Sequence, residues 1–202
     1  MKITDVSMPL SAETEVYPGD PPVAIDALSA VENGDPFTLT RISMSSHAGT
    51  HLDAPSHVLV GDKTIDDIDL ATLVGSAWVV DAADHHPVDA IAFAGDQLPT
   101  SIERLLIKTG HRSSWLSADA VRRLIEIGPG MIGFDGPSVD SPESESLEAH
   151  KALLGAGIAI VENLDLSDVQ QGSYFLICLP LKLVGVEGSP VRAILIEDLE
   201  TG

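Results

Sequence analysis

Short apolar runs, each bounded by glycine, proline or charged residues, recur along the whole chain. Runs of this length and spacing are typical of β-strands. Because the predicted strands outnumber the predicted helices, we expect a mixed α/β fold whose sheet is not purely parallel. The predicted strands span residues 3–10, 37–44, 77–81, 105–109, 131–134, 158–161, 175–179 and 191–196.

Two segments have the periodicity of a helix. Ser117 can cap a helix over residues 117–127, whose apolar positions recur at helical spacing until Gly128 ends it. A shorter helix is predicted over residues 146–154. This second helix carries His150, so it matters for the candidate chemistry described below.

The chain length and apolar content suit one domain. The 202 residues are 44% apolar, which is enough for a substantial core, and no repeat or internal boundary divides them. The longest apolar runs, 152–161 and 174–181, are too short to span a bilayer, and no targeting segment is recognised. The single cysteine, Cys178, cannot form an internal disulfide. We therefore expect one globular domain over residues 1–202 that is soluble and cytoplasmic and has no membrane partner.

The chain is strongly acidic, with 31 acidic against 11 basic residues and a formal charge of −20. Such a field repels phosphate backbones, so a nucleic-acid partner is not expected. Two interpretations of the charge remain open. Adaptation to high salt predicts a melting temperature that rises with added salt, because screening relieves self-repulsion. An ordinary acidic cytosolic protein predicts no such dependence.

Three histidines and an aspartate lie close together in the sequence as His47, His51, Asp53 and His57. Neutral imidazoles and carboxylates are the ligands that zinc and manganese accept, so this window predicts a metal site. In a straight strand His47 and His51 would be about 13 Å apart, near the limit for sharing one ion. The chain must therefore bend between them, and Gly49 is the residue that permits an unusual backbone angle. We expect a tight turn with ligands converging from both sides.

Other titratable residues are weaker candidates on sequence grounds alone. Glu162 ends an apolar strand, where a carboxylate is costly unless it is paired, binds a cation or points to solvent. His150 could be a ligand or an ordinary surface histidine. His85 and His86 lie in an aspartate-rich loop that favours a surface position, and His111 has no partner at ligand spacing.

Tyr17 lies in a loop, residues 16–22, that contains three prolines and a glycine and is therefore irregular. An aromatic ring on such a rigid loop can form the wall of a pocket, or it can pack over the core. No Gly-x-Ser-x-Gly elbow or phosphate-binding glycine loop is present in the sequence, which disfavours serine hydrolases and P-loop enzymes.

The pattern His-x-Gly-Thr-His-x-Asp-x-Pro-x-His over residues 47–57 resembles the signature of the metal-dependent cyclase family, which includes bacterial kynurenine formamidases and isatin hydrolases. The resemblance extends over nearly the whole chain. It implies a β/β/α fold of swivelling type, assembled as a homodimer or homotetramer in which partner chains help to close the active site. Further segments that resemble the family in the same order are 17–21, 135–140, 147–150, 155–164, 179–182 and 188–193.

The resemblance also implies a ligand set for two divalent ions per subunit. His47, His51 and Asp53 match the ligands of a first ion, and Asp53 bridges to a second. His150 and Glu162 match the residues that complete the second site, with Glu162 also able to reach the first ion. Because such sites accept several metals, zinc and manganese both remain candidates.

Three further positions bear on the reaction that the resemblance implies. His57 matches the proton donor and acceptor of the family. Tyr17 stands where kynurenine formamidases carry a tryptophan that stacks on the aromatic substrate. Thr50 stands where they usually have alanine. These two departures affect the substrate assignment and leave the metal chemistry intact.

The expected function is therefore a metal-dependent hydrolase that cleaves an amide on a small aromatic molecule, with N-formylkynurenine as the leading substrate. Isatin-like lactam opening, or another cyclase or lactonase reaction, is the alternative within the same machinery. A catalytically silent metal-binding oligomer is the alternative from another class.

Overall fold

The computed structural model describes residues 1–94, 98–110 and 113–197. His111 lies outside the described residues. The strands formed by the described residues are β1 (Lys2–Asp5), β2 (Ala24–Ser29), β3 (Leu39–Ser43), β4 (His51–Asp53), β5 (Val74–Asp81), β6 (Arg104–Lys108), β7 (Met131–Phe134), β8 (Ala159–Glu162), β9 (Gly172–Pro180) and β10 (Gly188–Glu197).

Eight of these strands form one sheet in the order β1-β10-β4-β8-β7-β6-β5-β9. Because β9 also pairs with β10, seven strands close into a barrel-like ring, and β1 extends it along the end of β10. Strands β5 to β8 run parallel to one another, whereas the remaining pairs are antiparallel. This confirms the predicted mixed α/β sheet.

Two apolar clusters lie on opposite faces of the closed sheet. One fills the inside of the ring and includes Leu52, Leu106 and Leu176. The other lies outside and includes Leu105 and Ile107. The alternation along β6 follows from the strand period of two, which sends successive side chains to opposite faces. Both faces are apolar because helices cover the outer one.

The helices are α1 (Leu70–Leu73), α2 (Ala118–Ile127) and α3 (Glu148–Gly155). As predicted, the Ser117 hydroxyl accepts the Ala120 N–H at the start of α2, and Gly128 ends it with a left-handed backbone. Helix α3 begins two residues later than predicted, because Leu147 has a positive φ of 50°. None of the helices in the described ranges has the length and apolar character needed to cross a membrane.

Strands β2 and β3 form a separate two-stranded sheet that we call the arm (residues 24–43). The sequence pattern predicted β3 but missed β2, because apolar and polar residues do not alternate along Ala24–Ser29. β4 was also missed, since three residues are too few to carry a strand signal. It forms because β8 and β10 flank it on both sides.

Candidate metal centre

The predicted turn lies directly before β4. Gly49 has a φ of +65°, and a Cβ atom there would lie 2.7 Å from Cδ2 of Leu10. The left-handed backbone angle favours glycine here, whereas the end of the exposed Leu10 side chain can move aside. The turn reverses the chain after His47 and delivers His51 into the sheet.

Strand geometry places the next three residues. His51 and Asp53 are two positions apart on β4, so both side chains lie on one face, while Leu52 points into the barrel. In the antiparallel pairing of β4 with β8, His51 lies directly opposite Glu162. The register of the sheet thus joins two segments that are far apart in sequence.

The five predicted ligands converge on one point. Asp53 Oδ1 lies 2.9 Å from His47 Nδ1 and 3.4 Å from His51 Nε2, and Asp53 Oδ2 lies 3.5 Å from His150 Nε2. Glu162 Oε1 lies 3.2 Å from His150 Nε2, and Oε2 lies 3.5 Å from His51 Nε2. The ligand atoms form two groups, each of which could hold an ion, and Asp53 belongs to both. They are His47/His51/Asp53 and Asp53/His150/Glu162, each with its ligand atoms within 4.8 Å of one another.

The two buried carboxylates of this cluster need a positive charge nearby to offset the cost of their burial. Asp53 is fully buried, Glu162 is 3% exposed, and Oδ2 of Asp53 has no hydrogen-bond donor among the described residues. Burial disfavours the charged imidazole of His51, but Asp53 and Glu162 outweigh it and raise its pKa to about 9. In the same way the pKa of His150 rises to about 12, against the effect of its burial. Protons or metal ions can supply this charge, and the His and carboxylate donors suit Zn²⁺ or Mn²⁺.

His57 lies beside the cluster rather than within it. It ends a short 3₁₀ turn, Pro55–His57, that begins with proline immediately after β4. Its ring centroid is 4.3 Å from that of His47 and 5.6 Å from that of His150. Burial lowers the pKa of His57, so the ring is neutral at neutral pH and can accept a proton. This placement suits proton transfer better than metal binding.

The remaining candidates belong to neither of the two groups that could hold an ion. Tyr17 is on the irregular loop between β1 and β2, and the residue is 45% exposed. His85 pairs with Asp89 at 3.1 Å, and the ring of His86 packs edge-on against Trp115. Among the described residues, neither of these two histidines belongs to a group that could hold a metal ion.

Sequence reasoning missed two residues that position His47. Glu187 Oε1 lies 3.4 Å from His47 Nε2 and also accepts the Ser46 hydroxyl. A Cβ atom on Gly188 would lie 2.7 Å from Cε1 of His47, so only glycine leaves room for the ring. Both residues come to His47 through the pairing of β10 with β4, which no local sequence pattern reveals.

Thr50 joins three segments behind the cluster. Its hydroxyl donates to the Asn163 carbonyl at 2.5 Å and accepts the Met8 N–H at 2.8 Å. Thr50 is itself buried, so alanine there would leave these two polar groups without this partner. The threonine therefore serves to hold the turn against the end of β8.

Comparison with known proteins identifies the family of the chain. The Cyclase family model matches residues 4–141. The chain is 37% identical to a kynurenine formamidase of Polaromonas naphthalenivorans over 98% of its own length and 92% of that protein. These matches confirm the resemblance that the sequence motifs indicate.

Solved structures share the fold. A predicted metal-dependent hydrolase from Bacillus stearothermophilus has a TM-score of 0.82 at 30% identity, covering 96% of this chain and 97% of that one. Isatin hydrolase A from Labrenzia aggregata has a TM-score of 0.84 at 25% identity, covering 96% of this chain and 93% of that one. With a family model that spans most of the chain and relatives that match it nearly end to end, the protein belongs to the Cyclase family of enzymes.

Proposed function

We propose that this protein is a metal-dependent hydrolase that cleaves an amide, with N-formylkynurenine as its leading substrate. The observation that carries the proposal is the convergence of the five predicted ligands into two groups that share Asp53. The similarity of this protein to a kynurenine formamidase over nearly the whole chain supports the choice of substrate.

In the proposed reaction the ions activate the water and the carbonyl, and His57 transfers the proton. Zinc or manganese ions, two per subunit, would be held by His47, His51, Asp53, His150 and Glu162. They would supply water acidified to a pKa of ~7 and a Lewis acid for the carbonyl. His57, which lies beside the cluster and is neutral at neutral pH, takes a proton from the attacking water. It then donates that proton to the nitrogen of the leaving amine.

The experiment that tests this function is a paired assay. Protein stripped with a chelator and protein reloaded with Zn²⁺ or Mn²⁺ are compared for hydrolysis of N-formylkynurenine. We expect activity to disappear on stripping and to return on reloading. Activity that persists without metal contradicts the proposal. A protein that binds metal and hydrolyses neither this compound nor isatin leaves two alternatives, another cyclase or lactonase reaction and a catalytically silent metal-binding oligomer.

Isatin-like lactam opening is the second candidate within the same machinery, together with other cyclase or lactonase reactions. It is favoured by the structural similarity to isatin hydrolase A at a TM-score of 0.84. Both reactions need the same attack of water on a carbonyl carbon. Isatin assayed beside N-formylkynurenine on the same metal-loaded protein separates the two by the ratio of kcat/KM.

We further propose that Tyr17 contacts the aromatic part of the substrate. The residue is 45% exposed on an irregular loop, and it stands where kynurenine formamidases carry a tryptophan that stacks on the substrate. Replacing it by alanine should raise KM by about 2- to 10-fold with little change in kcat, because an aromatic pair contributes about 0.5–1.5 kcal/mol. Steady-state kinetics on the aromatic substrate measures this. Tyr17→Phe, which keeps the ring, should retain the wild-type KM. An unchanged KM in Tyr17→Ala removes Tyr17 from the pocket.

The arm supports a homodimer or homotetramer. A two-stranded ribbon is marginally stable by itself in water, yet the arm pairs only with itself among the described residues. Ile25 and Ile42 lie opposite each other on one of its faces and are 46% and 61% exposed. We propose that a second copy of the chain covers this face.

The assembly is tested by light scattering during size-exclusion chromatography. Ile42→Lys should shift the wild-type oligomer towards monomer, because a lysine cannot be buried against an apolar partner without large cost. Glu126→Lys, on the exposed surface of α2, is the matched control and should leave the mass unchanged. A monomeric wild-type protein contradicts the proposal, as does an Ile42→Lys variant of unchanged mass.

Three further properties are proposals of the same kind. Residues 1–202 are proposed to form a single domain, which the pairing of β1 with β10 supports because it joins the two ends of the described chain. The sheet is proposed to be of swivelling β/β/α type. The protein is proposed to act in the cytoplasm, in keeping with its one buried, unpaired cysteine.

A further inference from the structure

The start of helix α3 is capped from outside the helix. Leu147, at the N-cap position, has a left-handed backbone and offers no side-chain acceptor. Instead the carboxylate of Asp140 accepts the N–H groups of Ala149 at 2.9 Å and His150 at 3.1 Å. The first N–H groups of a helix have no partner within it, so this carboxylate satisfies donors that would otherwise be buried and unpaired.

The same carboxylate also holds the imidazole of His150. Oδ2 of Asp140 lies 2.7 Å from Nδ1 of His150, and both residues are buried. Because a carboxylate only accepts hydrogen bonds, Nδ1 must carry the proton and donate it. Nε2 is then the nitrogen that faces Asp53 and Glu162, at 3.5 and 3.2 Å.

Val139, the residue before Asp140, holds Glu162, a second member of the Asp53/His150/Glu162 group. The N–H of Val139 donates to Oε1 of Glu162 at 2.7 Å. The N–H of Asp140 is in turn fixed by the Ser138 hydroxyl at 3.2 Å. A short loop, residues 138–140, therefore orients two of the three side chains that could hold the second ion.

We propose that Asp140 is a positioning residue that fixes the ring orientation and the tautomer of His150, so that Nε2 is presented to a divalent ion. The inference rests on the metal site of the proposed function. Hydrogen bonds of this kind to a ligating histidine raise its basicity, and their loss typically lowers metal affinity by about 10- to 100-fold. Asp140 also links the start of α3 to the cluster, so helix formation and ion binding depend on one carboxylate.

The test is Zn²⁺ binding to the metal-free protein, measured by competition with a chromophoric chelator. Asp140→Asn keeps the shape of the side chain but replaces one acceptor oxygen by a donor. One orientation of the new amide takes the acceptor from the Ala149 N–H, and the other takes it from both donors of His150. In either orientation Nδ1 of His150 loses its anionic acceptor, so the imidazole becomes less basic. We expect the second Zn²⁺ to bind about 10- to 100-fold more weakly and the first to bind as in wild type.

The matched control is Asp69→Asn, which removes a capping carboxylate from α1, a helix with no site residue. It should leave both Zn²⁺ affinities unchanged. A double variant adds a second control: in a His150→Ala background, Asp140→Asn should lower Zn²⁺ affinity no further, because Asp140 acts through His150. If Asp140→Asn does not fold, Ser138→Ala loosens the same loop and should weaken the second Zn²⁺ in the same direction.

The outcomes separate cleanly. If wild-type protein binds two Zn²⁺ ions and Asp140→Asn binds both equally well, Asp140 is only a helix cap and this inference fails while the proposed function stands. An additional loss of affinity in the His150→Ala background also overturns it. Wild-type protein that binds neither Zn²⁺ nor Mn²⁺ overturns the metal site together with this inference.

Discussion

Replacing His51 by alanine is expected to remove bound metal and hydrolase activity together. His51 Nε2 lies 3.4 Å from Asp53 and 3.5 Å from Glu162, so the ring contacts both of the carboxylates in the cluster. Its Nδ1 donates to the Gly49 carbonyl at 2.9 Å, which fixes the ring. Without it, two buried carboxylates face each other with less compensating charge, and an ion held there would lose one of its proposed ligands.

Metal analysis of the purified variant, run beside the amide-hydrolysis assay, measures both effects. We expect activity at the level of the chelator-stripped wild type. His85→Ala is the control, because the ion-pair partner of the partly exposed His85 is Asp89 and not a residue of the cluster. Full metal content in His51→Ala would contradict the assignment of this residue as a ligand.

Replacing His57 by alanine is expected to have the opposite signature, with metal content retained and kcat lowered by about 10²- to 10⁴-fold. The ring lies beside those of His47 and His150 but belongs to neither group that could hold an ion. Its loss should therefore remove proton transfer and leave the ions in place. Burial keeps its pKa below the usual histidine value, which suits a group that must be neutral before it takes a proton.

The two variants are most informative as a pair. Steady-state kinetics and metal analysis on both should give metal loss for His51→Ala and slow turnover at full metal content for His57→Ala. If metal is lost from His57→Ala and retained in His51→Ala, the two roles are reversed.

Local features of the fold were predictable because their causes are local. Helix α2 has its cap, its apolar spacing and its terminating glycine within one short segment. The bend at Gly49 followed from the distance that two histidines must cover, and the backbone angle there agrees with it. The short strand β7 was predicted at its observed bounds for the same reason, as an apolar run between a glycine and a polar loop.

The site could not be assembled from local patterns, since its parts meet only through the sheet. Pairing of β4 with β8 places Glu162 opposite His51, and pairing with β10 brings Gly188 beside His47. His150 and Glu162 were identified through family resemblance rather than through spacing. Asp140 gave no signal of its own, because an aspartate in a polar loop is ordinary until its three hydrogen bonds are seen.

The position of β4 between β8 and β10 has a consequence for biosynthesis. The residues of the 47–57 window leave the ribosome long before the strands that flank β4 are made. Asp53, which both candidate ion groups require, is buried only after those strands close over it. The Asp53/His150/Glu162 group cannot form before β8 has been made, so ions at the proposed site are expected to bind only after β8 and β10 have been synthesised and have paired with β4.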